Sequence, residues 1–358
     1  YSQDNIKAAD IIVRTESDYS VLTAEDLFEG EYSYYSYGYT ITASKAEQAI
    51  TSAILNLTSE EKIKVEFILG YEEEDYTALK SLLEQNNYEV VETKILTSQL
   101  SEDAKISIIY GPLYDYDEQG INKLKEHMEK GKSIGRNIVY IASPDAGETP
   151  NLNNFLKDWG MSVGSGNVFE TDVNNLFSNS VYYTICGYSQ NEYTENLKNT
   201  SIPVAVPIAK PITMIEDAEV ASNELLYFSE TAGIIPMGAG NDWQPSESDI
   251  CGPITASCIS TKTEADVKSS VCVVSSTLAF DSGLLLRSSL NNSSYFINLF
   301  NSISENENNV IIESKSVEYD MLKINTTQAL TIGVILAIIV PIALIVAGIF
   351  IWIRRKGR

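Results

Sequence analysis

A single histidine, His127, limits the nucleophilic chemistry open to this chain of 358 residues. A cysteine or serine nucleophile needs a base within hydrogen-bond reach, usually an imidazole. His127 stands among lysines and glutamates, off the apolar stripe of Ile121, Leu124 and Met128, so it is expected on a solvated surface. Cys186-Gly187 has no Gly-x-Cys-x-Gly elbow around it, and Ser275-Ser276 after an apolar run has no base in view. No catalytic residue is therefore assigned. Gly164-Ser165-Gly166-Asn167 and Gly238-Ala239-Gly240-Asn241 lack the Lys-Ser/Thr of a phosphate loop and the spacing of a dinucleotide fingerprint, so they read as turns and no cofactor is expected.

Two clusters remain as interaction surfaces. Glu72, Glu73, Glu74 and Asp75, with Tyr71 before them, place hard carboxylates beyond the end of a strand, the usual ligand side of an open α/β sheet. A calcium site and a solvated acidic loop both fit, the loop better, and no metal is assigned. Tyr34, Tyr35 and Tyr37, flanked by Tyr32 and Tyr39, could stack on carbohydrate or a protein partner, although packing within a half-buried strand explains them more simply. Cys186 and Cys272 read as small hydrophobes in buried strands. Cys251 and Cys258, in a Gly/Pro/Ser loop, are able to bridge in an oxidising compartment or to stay free, and the four cysteines show no zinc spacing. The Asn-x-Ser/Thr sequences at Asn56, Asn199, Asn291, Asn292 and Asn325 read as chance in so Asn- and Ser-rich a chain.

Charge narrows the partners. Twenty-five basic residues against 49 acidic ones give a net charge of -24, which repels nucleic acid and anionic lipid. The strongest single signal is Ala329 to Ile353, 25 residues without a charge, in which only Thr331, Gly333, Pro341 and Gly348 are not strongly apolar. At about 1.5 Å per residue that run spans a bilayer core with some tilt. Pro341 is expected to kink it slightly, and Trp352 sits where an interfacial aromatic belongs. Arg354, Arg355, Lys356 and Arg358 crowd one flank, which predicts a cytoplasmic tail with residues 1–328 outside. Export of such a domain needs a signal or an earlier helix, so a portion upstream of Tyr1 is expected.

From Lys62 the chain alternates short β-branched runs with amphipathic helices, the pattern of a largely parallel sheet. Strands are predicted at 62–69, 88–94, 104–110 and 137–142. Between them, Tyr76, Leu79, Leu82 and Leu83 mark one helix, closed by Asn86-Asn87, and Ile121, Leu124 and Met128 another. Leu152, Phe155, Leu156 and Trp159 follow, with Asn151 as the expected N-cap and Gly160 as the stop. Upstream, Ser44-Lys45-Ala46-Glu47 reads as a capping box opening a helix with Ala49, Ile50, Ala53 and Leu57 on its apolar face. Residues 10–14 and 20–22 read as strands. Thr171 to Ser201 and Gly233 to Thr263 read as loops with small strands, Val271 to Val274 as a buried strand, 310–312 as a last edge strand, and Phe296, Leu299, Phe300 and Ile303 as one helix face.

Several of these segments resemble the GldG-type family, auxiliary components of bacterial ABC transport systems. They are Asp10-Ile11-Ile12-Val13-Arg14; Ser44 to Ile54; Leu82-Leu83-Glu84-Gln85-Asn86-Asn87-Tyr88-Glu89-Val90; Gly111-Pro112; Leu124 to Gly131; and Asn151 to Leu156. A C-terminal span with a basic tail completes the likeness. It departs where relatives carry a Gly-His-Gly-Glu-like turn, for which this chain has Gly70-Tyr71-Glu72-Glu73-Glu74-Asp75. The resemblance implies an α/β, flavodoxin-like and class I amidotransferase-like domain over 43–312. Residues 1–42 would be the tail of an upstream subdomain, 313–328 a linker, 329–353 the membrane helix and 354–358 the tail. It also implies a non-catalytic subunit whose partners are an ABC permease and ATPase. The alternative is a stand-alone surface protein binding glycan or protein, and a hydrolase of the same fold is a weaker third.

Overall fold

The computed structural model describes residues 6–33, 38–59, 62–130, 135–194, 197, 200–216, 220–240, 243–287, 289–306, 312, 314–317, 331 and 333–356. It divides into two units, Tyr1–Val317 and Glu318–Arg358.

The first unit opens with an antiparallel pair, β1 (Ile11–Arg14) and β2 (Tyr19–Leu22), a one-turn helix α1 (Ala24–Leu27), two paired strands, β3 (Phe28–Ser33) and β4 (Gly38–Ser44), and helix α2 (Ala46–Thr58). Ala46, Ala49, Ile50 and Ala53 of α2 pack on Val13, Leu22, Leu27 and Phe28, so the predicted apolar face is the buried one. The predicted capping box does not form. Ser44 is held extended by pairing with Phe28 and Lys315, Lys45 takes the N-cap position, and Glu47 turns to Lys315 at 2.6 Å. Tyr34, Tyr35 and Tyr37 lie outside the described residues, between β3 and β4.

The central part runs β5 (Ile63–Leu69), α3 (Thr77–Gln85), β6 (Tyr88–Lys94), β7 (Ile106–Tyr110), α4 (Glu118–Lys130), β8 (Asn137–Ile141) and α5 (Pro150–Lys157). Every residue of β7 and β8 is buried, which is why their sequences are apolar without alternation. Asn87, at φ +63°, makes the left-handed turn that ends α3. The N-cap of α5 is Thr149, with Pro150 in the first turn, and not Asn151 as expected. The Asn151 and Leu152 amides instead donate to the Asp115 carboxylate at 2.8 and 3.0 Å.

Then come β9 (Met161–Val163), β10 (Asn167–Glu170), β11 (Ile185–Tyr188), β12 (Val204–Ala205), β13 (Ile212–Met214), β14 (Ala221–Phe228), β15 (Ala232–Ile235), β16 (Ile254–Glu264) and β17 (Val267–Val274). The short α6 (Ser282–Leu285), α7 (Asn292–Ser304) and β18 (Lys315–Ser316) close the unit, and β18 pairs with β4 within the expected linker. Residues 310 and 311 of the predicted last strand lie outside the described residues.

The principal sheet runs β12-β11-β14-β16-β17-β8-β7-β5-β6, with β13 against β16 and β9 against β13. Strands β17, β8, β7, β5 and β6 are parallel, and in chain order they stand 2-1-3-4-5, the flavodoxin-like order. Val65, Phe67, Ile106, Ile108, Val139 and Ile141 share one core with Leu79 and Leu83 of α3 and Phe296 and Phe300 of α7. Ile68, Ile109, Ile138 and Tyr140 share another with Leu124 of α4 and Phe155 of α5. Helices thus cover both faces of a parallel sheet, and the fold is α/β with a flavodoxin-like core.

Beyond β17 the sheet continues antiparallel, where short strands and loops are predicted. The 11-residue strand β16 pairs with β17 along eight positions, through a turn at Ala265-Asp266 with φ +49° and +68°. Such turns are usually marked by Asn-Gly or Asp-Gly, and here they are not. Cys258 therefore lies in a strand and not a loop: it is buried, its sulfur 3.3 Å from that of Met161, while Cys251 is exposed, and both are free thiols.

In the second unit, residues Ile335–Lys356 form a helix long and apolar enough to cross a membrane, about 33 Å at 1.5 Å per residue, and the chain is membrane-anchored. Its first part, Ile335–Ile339, is a π turn leading into α8 (Val340–Lys356). Pro341 has no amide hydrogen, and its ring would crowd the carbonyl four residues back; widening the turn before it relieves both. Arg354, Arg355 and Lys356 form the last turn, with the Lys356 ammonium 4.8 Å above the Trp352 ring. Arg358 lies outside the described residues.

Candidate functional site

In a sheet of this order ligands sit at the carboxyl ends of the strands where the winding reverses, here between β5 and β7. The loops leaving those two strands close on each other instead. The Glu74 amide donates to Gly111 O at 3.1 Å, the Leu113 amide to Tyr71 O at 3.2 Å, and Glu73 bridges to Pro112. The rings of Tyr71 and Tyr116 stack with centroids 3.9 Å apart, and the Tyr71 hydroxyl donates to Asp117 at 3.0 Å. Burial, aided by Asp117, pushes the Tyr71 phenol up to about 12.

The acidic run predicted as one solvated cluster is divided among separate tasks. The Glu73 carboxylate accepts from the Gly70 and Tyr71 amides at 2.8 and 2.7 Å, folding the loop back on its own strand. Glu74 accepts from the hydroxyls of Ser143 and Thr277, the latter at 2.7 Å, and so joins the ends of β5, β8 and β17. Asp75 accepts from the amide and hydroxyl of Thr77 at 3.0 and 2.5 Å at the start of α3. Those bonds hold its carboxyl below the usual range. Glu72 is exposed at φ +54°. Among the described residues no group of three or more His, Cys, Asp or Glu is placed to hold a metal ion.

One open cleft among several lies one strand further along, above β8. It measures about 300 Å³ and is lined by Ser143, the loop Ala146–Pro150, Asn153, Asn154 and Lys157 of α5, Val163–Ser165, Lys210 and Met237. Its distinctive member is Lys210. The Lys210 amide donates to Ser275 O at the end of β17, and the Ala209 and Pro211 carbonyls accept from Val168 and Gly164. This strap brings the Lys210 side chain under the cleft, where it is 7% exposed and its ammonium reaches Ala146 O at 3.4 Å. Burial lowers its pKa, and Asp145 partly opposes the shift. Ser143 joins cleft and sheet: its oxygen also accepts from the Asp145 and Ala146 amides at 3.0 and 3.1 Å.

His127 is not on the surface. It is 4% exposed, with Nδ1 2.7 Å from the Arg136 guanidinium and Nε2 3.3 Å from the Ser107 hydroxyl. Ser107 donates to Glu66 at 3.1 Å, and Glu66 also accepts from the Ser101 amide at 2.8 Å. Glu66 and Ser107 stand opposite each other in β5 and β7, so this network lies beneath α4, within the sheet. Since an arginine nitrogen can only donate, Nδ1 accepts and the imidazole is neutral, with its proton on Nε2. The order acid, serine, imidazole differs from that of a triad, in which the imidazole lies between the other two.

The other candidate nucleophiles are inert by position. Burial raises the Cys186 thiol well above its usual range, and Ser275 and Ser276 are fully buried, the latter accepting the Leu278 amide. Asn292, in one of the glycosylation-like sequences, is also fully buried, its amide spanning the Ala205 and Ala279 carbonyls at 2.8 Å. Sequence reading missed Lys210, Ser143 and Thr277. Lys210 carries a legible signal, a lone charge inside the apolar run Val206-Pro207-Ile208-Ala209-Lys210-Pro211-Ile212. Ser143 and Thr277 carry none, since they act through a glutamate distant in sequence.

No protein-family model and no curated protein matches the sequence. Among solved structures the chain is similar to the mmIFT52 N-terminal domain, with a TM-score of 0.51 and 14% identity over 69% of this chain and 100% of that one. A putative ThuA-like protein from Bacteroides uniformis superposes with a TM-score of 0.39 and 12% identity, over 68% of this chain and 93% of that one. A glutamine amidotransferase from Thermotoga maritima gives 0.38 and 11%, over 69% and 100%. At 14% identity, the likeness to the mmIFT52 domain is one of fold.

Proposed function

We propose that the chain is a membrane-anchored, non-catalytic binding subunit whose α/β domain engages its ligand or partner outside the cytoplasm. One observation carries the non-catalytic part. The chain's single imidazole is held in a buried network by Arg136 and Ser107, while the cleft above β8 is lined by Lys157, Lys210, Glu148, hydroxyls and amides with no imidazole or thiol among its lining residues, and its Ser143 hydroxyl is tied to Glu74 as a structural link between strand ends. The basic last turn of α8 favours a cytoplasmic carboxyl terminus.

The assembly we propose is of ABC type, in which the helix packs against a permease and an ATPase drives rearrangement of the permease. Its support is the GldG-type sequence resemblance. Purification of the chain from its native membrane in mild detergent should bring down a permease and an ATPase. Recovery of the chain without either would remove the ABC setting. Turnover of amide or ester substrates above background, abolished by a cleft substitution, would remove the non-catalytic reading.

A further inference from the structure

We propose that the cleft above β8 binds a small oxyanion, a carboxylate or phosphoryl group, with Lys210 as its counter-ion; this deepens the binding reading above and rests on it. Lys210 is more than nine-tenths buried, and an ammonium has three hydrogens to place. Its polar contact among the described residues is a single carbonyl, Ala146 O, at 3.4 Å. Asp145 acts on it from beyond ion-pair distance. A charge kept this dry costs the fold free energy unless something pairs with it.

The surroundings supply further donors. In the loop over the cleft, the Gly147 and Glu148 amides meet no described acceptor, and the space where a Gly147 Cβ would stand is open for 4 Å. Ser165 and Lys157 also line the cleft and are exposed. Against them stands the exposed Glu148 carboxylate, which has solvent to satisfy it. A cationic ligand would meet Lys210 with like charge, and a neutral one would leave the ammonium unpaired. A volume of about 300 Å³ suits a compact ligand carrying one such group.

Calorimetric titration of the full chain in detergent, with sodium phosphate and sodium succinate in separate arms and glycerol as a neutral control, tests the proposal. Saturable binding of either anion, absent for glycerol, is expected. Phosphate alone would point to a phosphoryl ligand and succinate alone to a carboxylate. Lys210→Met should weaken binding about tenfold or more, and Lys210→Arg should hold it within a few-fold. Failure of both anions to bind at millimolar concentration, equal binding of glycerol, or unchanged binding by a folded Lys210→Met chain would overturn it. Should that variant not fold, acetylation of the native chain by acetic anhydride decides. The anion should protect Lys210 and spare no exposed lysine elsewhere, and unprotected Lys210 would overturn the proposal. Loss of the anion site would leave the permease association standing, and loss of that association would leave the anion site.

Discussion

Glu66 lies within β5 and Glu74 in the loop that leaves it, and the two carboxylates live in opposite surroundings. Glu66 is fully buried, and its bonds lead through Ser107 to His127 and on to Arg136, whose guanidinium reaches the Glu102 carbonyl at 3.4 Å. Glu74 is half-buried and ties three strand ends together through Ser143 and Thr277, at the lip of a cleft that holds an under-satisfied lysine. The first arrangement uses its carboxylate, hydroxyl and imidazole in holding β5, β7 and α4 in register, with Arg136 Nε alone of the network's side-chain groups buried without a described partner. The second leaves donors facing open space. Buried polar chemistry in this fold is thus structural in the body of the sheet and available to a ligand at its carboxyl edge.

The largest effect that would test this contrast is the loss of Glu66. Glu66→Ala strips the acceptor from the half-buried Ser101 amide and the buried Ser107 hydroxyl and removes the anchor of the chain to His127. Two lost hydrogen bonds, one of them leaving the Ser107 hydroxyl buried, imply a cost of about 2–3 kcal/mol, read as a lowered urea midpoint by tryptophan fluorescence. A cost below about 1 kcal/mol would mean that the network is solvated in practice, and the contrast would fail. Next in size is Gly111→Ala. Gly111 sits at φ +50°, and a Cβ there would come 2.6 Å from Thr277 Cγ2 and 3.3 Å from the Glu74 side chain. Overpacking and a left-handed alanine together predict a loss of about 1–3 kcal/mol. Adding Thr277→Ser, which removes the clashing methyl and keeps the hydroxyl for Glu74, should restore part of it. Equal stability of single and double variants would show that the strain lies in the backbone alone.

Why one half of the molecule was legible and the other was not follows from its pairing. Strands β5, β7 and β8 are buried on both faces through their middles, and α3 and α4 punctuate the run from β5 to β8, so length and composition locate its strands: even the part-exposed edge strand β6 was expected at 88–94 and lies there. Strand β16 is Ile-Thr-Ala-Ser-Cys-Ile-Ser-Thr-Lys-Thr-Glu, whose hydroxyls find partners only once the hairpin exists, as Ser257 Oγ does on Val273 O at 2.9 Å. Such partners have no local signature. His127 failed for a related reason. Its helix has a solvated face of lysines and glutamates, but α4 also covers Ser107 and Arg136, and burial beside polar neighbours cannot be read from apolar spacing. Pro341 was legible as a disturbance, and only the structure shows that a π turn absorbs it.

The smallest effect should come from Lys210, and its sign is the sharpest test of the carboxyl edge. At neutral pH Lys210→Met removes a desolvated charge with one weak bond, so stability should change by about 1 kcal/mol or less, or rise. The pH dependence carries the argument. Burial lowers the folded pKa of Lys210, whereas in the unfolded chain it titrates near 10.4. Between those two values the unfolded chain binds more protons, so stability of the native sequence should rise with pH relative to the Met variant. The full penalty is present below the folded pKa and disappears as the pH approaches the unfolded one. Tyr71 and Tyr76, pushed up to about 12, act in the opposite sense: their stabilisation begins to fall as the unfolded phenols ionise near 10. Both sequences share them, so they cancel in the difference. A difference curve flat all the way up to the unfolded value would mean that water already pairs the ammonium in the cleft, which would place Lys210 with the satisfied groups of the sheet body and erase the distinction between the two regions.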